Sequence, residues 1–332
     1  MSPSLSPLLI SDTELFNPLG SILQRHFPPS VQIRGVYPLP GHLHSINRLV
    51  LSNGVQLLLK CSPGSTTPLL RREQLLLETE ARALSILERN GIPYIPSFVH
   101  YGLQGGLLGS AFLVRHYVTG ATLQEMEAQL TMQDRDNVNR ALGSLAQRIG
   151  QNISSTFGSL DQVACGSGKE SWREAFVTLL EGILRDSEDA FVHLPYAEIR
   201  HQVRRLSPAL EEITSPQLVI VGLGRPSQVL LNPGSKKLAG LIGLENALWG
   251  DVHMAEIFEE PSLAVLEGYG TQLAKSEAQV ARQLLYACYR AVHRVTIHYY
   301  RDQGMTAEID ARRRLTSVLG EMVTIHEDRT LG

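Results

Sequence analysis

The sequence is poor in residues that could staple it or ligate a metal. Its 332 residues include three cysteines, Cys61, Cys165 and Cys288. They are odd in number, far apart and free of any Cys-x-x-Cys spacing. That excludes a disulfide framework and a cysteine-based zinc site. Positive charge is not in excess either: 30 Lys and Arg stand against 33 Asp and Glu, a formal net charge of −3. The runs "VRR" and "ARRRL" are short and sit in helical surroundings, so no polyanion partner and no nucleic-acid binding are expected. No apolar stretch approaches the about 20 residues that span a bilayer. The opening "MSPSLSPLLISDTELF" lacks both a basic start and a long apolar core, so no signal peptide is expected. These absences point to a reducing, cytoplasmic setting, in which the sequon at Asn152 stays unused.

What is present is globular: 43% of residues are hydrophobic and 19% charged. A chain this long exceeds one comfortable core, which predicts two lobes. Residues 31–62 hold β-branched and apolar runs broken by "PGHLHS" and "SNG", the pattern of an antiparallel meander. "TTPLLRREQLLLETEARALSILERNG" follows with Leu76, Ala83, Leu84 and Leu87 at helical spacing and Gly91 as a stop. "IPYIPSFVHYG" and "GSAFLVRHYVTG" read as further strands. Beyond about residue 120 the chain turns helical, with "SEAQVARQLLYACYRAVHRVTIHYYRDQG" its longest element. Embedded there is "LVIVGLGRPSQVLLNP", read as a hairpin of two apolar strands joined by a glycine turn. The organisation predicted is an extension over 1–30, a β-rich lobe with one long helix over 31–118, and a helical lobe over 119–332 carrying the hairpin.

Several motifs fail on context. "CGSGKES" has a Gly-Lys pair, but Val163 and Glu170 occupy the positions where a P-loop needs Gly and Ser or Thr. "GLG" at Gly222–Gly224 follows a strand, yet Ser227 replaces the third glycine of a dinucleotide loop and a strand follows. His42 and His44 lack a third ligand and read as solvated turn residues. His293 and His298, five apart on the last long helix, fall on different faces and read with Tyr286, Tyr289 and Tyr299 as ordinary core and surface. No metal site and no cofactor are expected.

Four stretches in this order resemble the protein-kinase-like small-molecule phosphotransferases, in particular the fungal branch of the aminoglycoside phosphotransferase family. They are "GHLHSINRLVLSNGVQLLLKCSP", "RREQLLLETEARALSIL", "SWREAFVTLLEGILRDSEDAFVHLPYAEIR", and "SPQLVIVGLGRPSQVLLNP" with "LAGLIGLENALWGD". The resemblance implies an α+β, protein-kinase-like bilobal fold: a small antiparallel-sheet N-lobe and a mainly helical C-lobe. It places Lys60 as the phosphate-binding lysine and Glu80 as its partner across an N-lobe ion pair. Departures stand at the positions that matter. The family's catalytic aspartate falls on Gly222 or Leu223, its metal-binding asparagine on Ser227 or Gln228, and its second metal-binding aspartate on Gly243. Phosphoryl transfer depends on positioning and on metal ions held by oxygen ligands. Two such losses imply a repurposed enzyme without kinase activity.

The expected occupant is then an apolar small molecule between the lobes, in a natural-product pathway, undergoing a cyclisation of Diels–Alder type. Arg225, Gln228, Lys60 and His116 would act as hydrogen-bond donors. Leu223, Gly243, Leu244, Glu245 and Tyr117 would line the substrate. Two other readings remain: a non-catalytic pseudokinase that binds or regulates, and a kinase with metal moved to Glu245 and Asp251. Oligomeric state is not legible.

Overall fold

The computed structural model describes residues 13–41, 43–103, 110–270, 276–301 and 305–325. His42 lies outside them, so the His42–His44 reading has no structural counterpart. The chain forms two compact units. They do not follow a single break near residue 118. The first comprises 1–67, 76–129 and 226–245; the second comprises 68–75, 130–225 and 246–332.

The first unit is built on a five-stranded antiparallel sheet. Its strands are β1 (Ile33–Leu39), β2 (Ser45–Leu51), β3 (Gln56–Cys61), β4 (Phe98–Gly102) and β5 (Phe112–His116), in the spatial order β1-β2-β3-β5-β4. The "SNG" turn closes β2 onto β3 because Gly54 adopts φ 84° and the Asn53 side chain accepts from the Val55 amide at 3.1 Å, a local bond that fixes the turn. Alternation along β3 splits its side chains between two faces. Leu57 and Leu59 join a buried cluster with Leu49, Leu51, Val99, Phe112 and Val114. Leu58 and Lys60 point the other way.

Each face has its own helix. The helix α1 (Thr13–His26) contributes Leu19, Ile22 and Leu23 to the Leu57 cluster. The segment expected to be a mere extension therefore closes the core of the sheet. Its i, i+3, i+4 spacing is the signal for it. On the Lys60 face lies α2 (Leu76–Arg89), whose Ala83, Leu84 and Leu87 are fully buried. It ends where Gly91 takes φ 61° and the Ile92 amide donates back to Leu87 O at 3.0 Å, a glycine stop of the expected kind. The helical pattern begins later than expected, since Arg71–Leu75 is a separate 3₁₀ turn belonging to the second unit.

The second unit is mainly helical. Its long helices are Met132–Gly150, Trp172–Asp189, Tyr196–Leu206, Glu277–Tyr300 and Met305–Thr324. Thr131, Ser171 and Ser276 cap three of them through side-chain oxygens, supplying acceptors for otherwise unpaired first-turn amides. The "CGSGKES" loop leads into the Ser171 cap. Glu277–Tyr300 is the spine, with Leu285, Tyr286, Cys288, Val292 and Val295 all at or near zero exposure. No helix among the described residues is long and apolar enough to cross a membrane.

The expected hairpin does not form. Gln217–Ile220 pairs with Ala247–Gly250 in the second unit, whereas Val229–Leu231 pairs with Leu238–Leu241 and Ala121–Thr122 in the first. Two successive turns divert the chain between them: Leu223 N donates to Ile220 O and Arg225 N to Gly222 O, both at 3.0 Å. Gly224 permits this route. It has φ 98°, and a Cβ there would sit 2.8 Å from the Cβ of Ile257. The true hairpin lies one step later, closed by Asn232, whose side chain accepts from the amides of Gly234 at 3.0 Å and Ser235 at 2.9 Å.

Candidate functional site

Strand β3 and helix α2 bring Lys60 and Glu80 together across 20 residues of chain. Lys60 Nζ donates to Glu80 Oε2 at 2.6 Å. Lys60 is 6% and Glu80 1% exposed. Their neighbours complete a closed set of charges. Arg115, opposite Leu58 on β5, donates from Nε to Glu80 Oε1 at 3.2 Å. Glu245 places Oε2 3.7 Å from Lys60 Nζ. Two cations, Lys60 and Arg115, thus face two carboxylates, Glu80 and Glu245, and the charges cancel.

The protonation states follow. Burial alone lowers the Lys60 ammonium, but Glu80 and Glu245 overcome it, and its pKa rises. Burial alone raises the Glu245 carboxyl, but Lys60, a backbone N–H, His44 and Arg115 outweigh it, and its pKa falls. Each group is held charged by the other. Glu245 Oε2 has no hydrogen-bond donor of its own.

Gln228 stands over Gly243. A Cβ built on Gly243 would lie 2.1 Å from Gln228 Cδ and 2.2 Å from its Oε1. The glutamine amide therefore occupies the space that any side chain at position 243 would take. Backbone pairing holds them there, with Ile242 N donating to Gln228 O at 3.0 Å. Gln228 Oε1 is buried without a donor. Leu244 is 1% exposed, a packed side chain. Ser227 is exposed.

The remaining residues expected at the site are divided between the two units. His116 pairs with Leu57 across β3–β5, which puts it on the face opposite Lys60. Its ring packs on Phe27 at 6.4 Å. Tyr117 keeps to the Lys60 face: the guanidinium of Arg48, which pairs with Leu58 across the sheet, lies over its ring, 5.6 Å from the ring centroid. Leu223 and Arg225 belong to the second unit. Leu223 is 3% exposed, and its carbonyl accepts from Ile257 N at 2.9 Å. Arg225 Nε donates to Glu256 Oε2 at 2.9 Å.

Asp251 is also committed, within the second unit. Its Oδ2 accepts from Tyr286 OH at 2.7 Å and its Oδ1 from His253 N at 3.0 Å. Tyr286 in turn accepts from Trp172 Nε1 at 2.8 Å. Burial raises the Asp251 carboxyl, yet the bonds and charge of His253 and the bond from Tyr286 bring its pKa below the usual value. The donor set near Lys60 does not suit magnesium. Gly243 offers no side-chain oxygen, and Glu245 is turned to Lys60. Among the described residues no group of three His, Cys, Asp or Glu side chains is placed to hold a metal ion.

Comparison with known proteins matches the sequence to a family. Residues 50–254 match the sequence profile described as "Phosphotransferase enzyme family". No curated protein sequence matches the chain. Among solved structures, a candidate aminoglycoside phosphotransferase of Ralstonia eutropha JMP134 superposes with TM-score 0.64 at 12% identity, covering 94% of this chain and 99% of that one. A thermostable mutant of aminoglycoside phosphotransferase APH(4)-Ia, in ternary complex with ADP and hygromycin B, gives TM-score 0.60 at 14% identity, covering 91% and 98%. A candidate fructosamine-3-kinase of Thermobifida fusca YX-ER1 gives 0.62 at 16% identity, covering 88% and 94%. At these identities the likeness establishes a kinase-like α+β fold.

Proposed function

This chain belongs to the phosphotransferase enzyme family, and from that premise we propose that it is a member which recognises a ligand and does not transfer phosphate. The observation that carries this reading is the closed charge set at Lys60. A lysine that is to meet nucleotide phosphates must have charge to offer. Here Glu80 at 2.6 Å and Glu245 at 3.7 Å already flank it. An arriving polyphosphate would add negative charge to a balanced site. Metal ions normally relieve that repulsion, and neither Gly243 nor either of Gly222 and Leu223, the positions on which the resemblance puts the family's aspartates, has a side-chain oxygen to hold them. Gln228 fills the vacated volume with a neutral amide.

Relocation of the metal to Glu245 and Asp251 has little support, since Asp251 is taken up by Tyr286 and His253. The narrower cyclase reading asked Leu223 and Leu244 to line an apolar substrate. At 3% and 1% exposure they pack as core, and no observation favours ring closure over recognition.

The test is transfer of the γ-phosphate of labelled ATP to water or to a panel of aminoglycoside and hydroxylated acceptors, with magnesium or manganese. Turnover at the level of a protein-free control is expected. Metal-dependent turnover abolished by Lys60→Met would overturn the reading.

A further inference from the structure

We propose that a pocket wholly within the second unit, lined by Arg72, Arg225, Arg290, Arg294 and His293, binds a small phosphate-type dianion. This goes beyond the reading of the Lys60 site and does not depend on it. The pocket is an open cleft with a cavity volume of about 30 Å³, and its wall also takes in Gly222, Asn246, Glu256 and Tyr289. Three separate stretches of chain supply the cations: the 3₁₀ turn at Arg72, the turn after Gly224 at Arg225, and one face of Glu277–Tyr300 at Arg290 and Arg294.

The charge is uncompensated. Four guanidiniums face the pocket, and the carboxylates that meet them are Glu256 and Glu259. Glu256 is shared between Arg225 Nε at 2.9 Å and Arg294 Nη2 at 2.5 Å. Glu259 serves Arg290 at 2.9 Å and is shared with Arg314 at 3.4 Å. Four positive charges less two negative leave +2 before Arg314 is counted. A phosphate or phosphomonoester carries about −1.5 to −2 at neutral pH, which matches that excess.

A second observation points to a missing partner. Arg290 is 5% exposed, and its Nη2 is buried with no hydrogen-bond acceptor. A buried guanidinium nitrogen left unpaired is costly, and a phosphate oxygen would satisfy it. Planar guanidinium forks suit phosphate geometry in a way that lysine does not. His293 is held neutral, by burial first and then by Arg72, Arg225, Arg294 and Arg301, so it adds a hydrogen-bonding group without further charge. Arg72 is fixed by bonds to Tyr289 OH and Asn246 Oδ1, which holds one cation in place before any ligand arrives. Arg225 and Arg294 have side chains 40% and 45% exposed, so a solute can reach them.

The experiment is calorimetric titration of the full chain with inorganic phosphate, with malonate as the dicarboxylate arm. One saturable phosphate site is expected. Arg225→Gln and Arg294→Gln, both partly exposed and compatible with folding, each weaken it about tenfold, the effect of losing one charge-assisted bond. Glu256→Gln removes the internal competitor for both arginines and tightens binding, a change of opposite sign that a purely structural role does not produce. Arg140→Gln, which removes a surface arginine paired with Glu267 away from the pocket wall, leaves phosphate binding unchanged. Absence of a saturable site in both the native chain and Glu256→Gln overturns the proposal. So does phosphate affinity that is indifferent to Arg225→Gln and Arg294→Gln, or malonate bound more tightly than phosphate.

Discussion

The two charged regions of this protein are opposites. Around Lys60, two cations and two carboxylates cancel within a buried network. Around Arg290, four guanidiniums share two carboxylates and one buried nitrogen lacks a partner. The first region is complete by itself, and the second is not. In a phosphotransferase family the lysine region is the one expected to await a phosphate. In the reading proposed here the internal carboxylate of Glu245, 3.7 Å from Lys60, takes that place, and the excess of positive charge lies at Arg290. Charge balance distinguishes the two: Lys60 and Glu80 are paired at 2.6 Å inside a set whose charges cancel, whereas the arginines around Arg290 outnumber their carboxylates.

The comparison breaks most visibly at Lys60. Lys60→Met leaves buried Glu80 with Arg115 alone and deprives half-buried Glu245 of its cation, and a loss of about 3–5 kcal/mol is expected, measured by urea unfolding. Arg225→Gln, in the charge-rich pocket, removes a partly exposed cation where cations are in excess, and its unfolding free energy should change by less than about 1 kcal/mol. If the two losses were equal, the contrast between a closed and an open charge set would fail.

Two glycines sharpen the comparison at the next level. Gly224→Ala meets Ile257 at a positive φ, where the backbone has no room to give, and about 1–3 kcal/mol is expected. Gly243→Ala meets only the far end of Gln228, which can swing away, so about 1 kcal/mol or less is expected. Thermal unfolding of the two variants orders them. A larger loss at Gly243 would mean that the Gln228 plug is rigid.

Tyr286→Phe removes one donor from buried Asp251, leaving the bond from His253 N and the Arg282 guanidinium charge at 3.8 Å, and about 1–3 kcal/mol is expected from the same unfolding assay.

The smallest effect is one of pH. Glu245, Glu256 and Asp251 all titrate below their ordinary values of 4.5, 4.5 and 3.8. A lowered carboxyl contributes stability that is full above its unfolded value and is lost as pH falls through its folded value. Stability should therefore decline on acidification in two stages, first below about pH 6.5, where the unfolded chain protonates the imidazole that His293 keeps neutral when folded, and again below about pH 4.5 as the carboxylates protonate; Glu256→Gln should shallow the lower stage. An unfolding series across that range checks the slope.

Much of the fold was legible in the sequence. The "SNG" turn, the apolar alternation of β3 and the Gly91 stop are local signals, and each acts locally in the structure. The false hairpin was not local. Val219 and Leu230 sit in equally apolar runs, and nothing in either run says that Ala247–Gly250 and Leu238–Leu241 are their partners. The helix α1 carried Leu19, Ile22 and Leu23 at helical spacing, but a Ser/Pro-rich start drew attention from it. Of the candidate site, Lys60 and Glu80 came through resemblance, because a pair 20 residues apart on strand and helix has no spacing rule. The arginine pocket was illegible for a similar reason. Arg72, Arg225 and Arg290 converge only through tertiary packing, and the one local hint was Arg290, His293 and Arg294 on a single helical face.

The most direct measurement is the thermal stability of the full chain with ATP, with and without magnesium. Magnesium is expected to add nothing to any shift that ATP produces, because Glu80 and Glu245 are both paired with Lys60. A stabilisation by ATP that requires magnesium would contradict it.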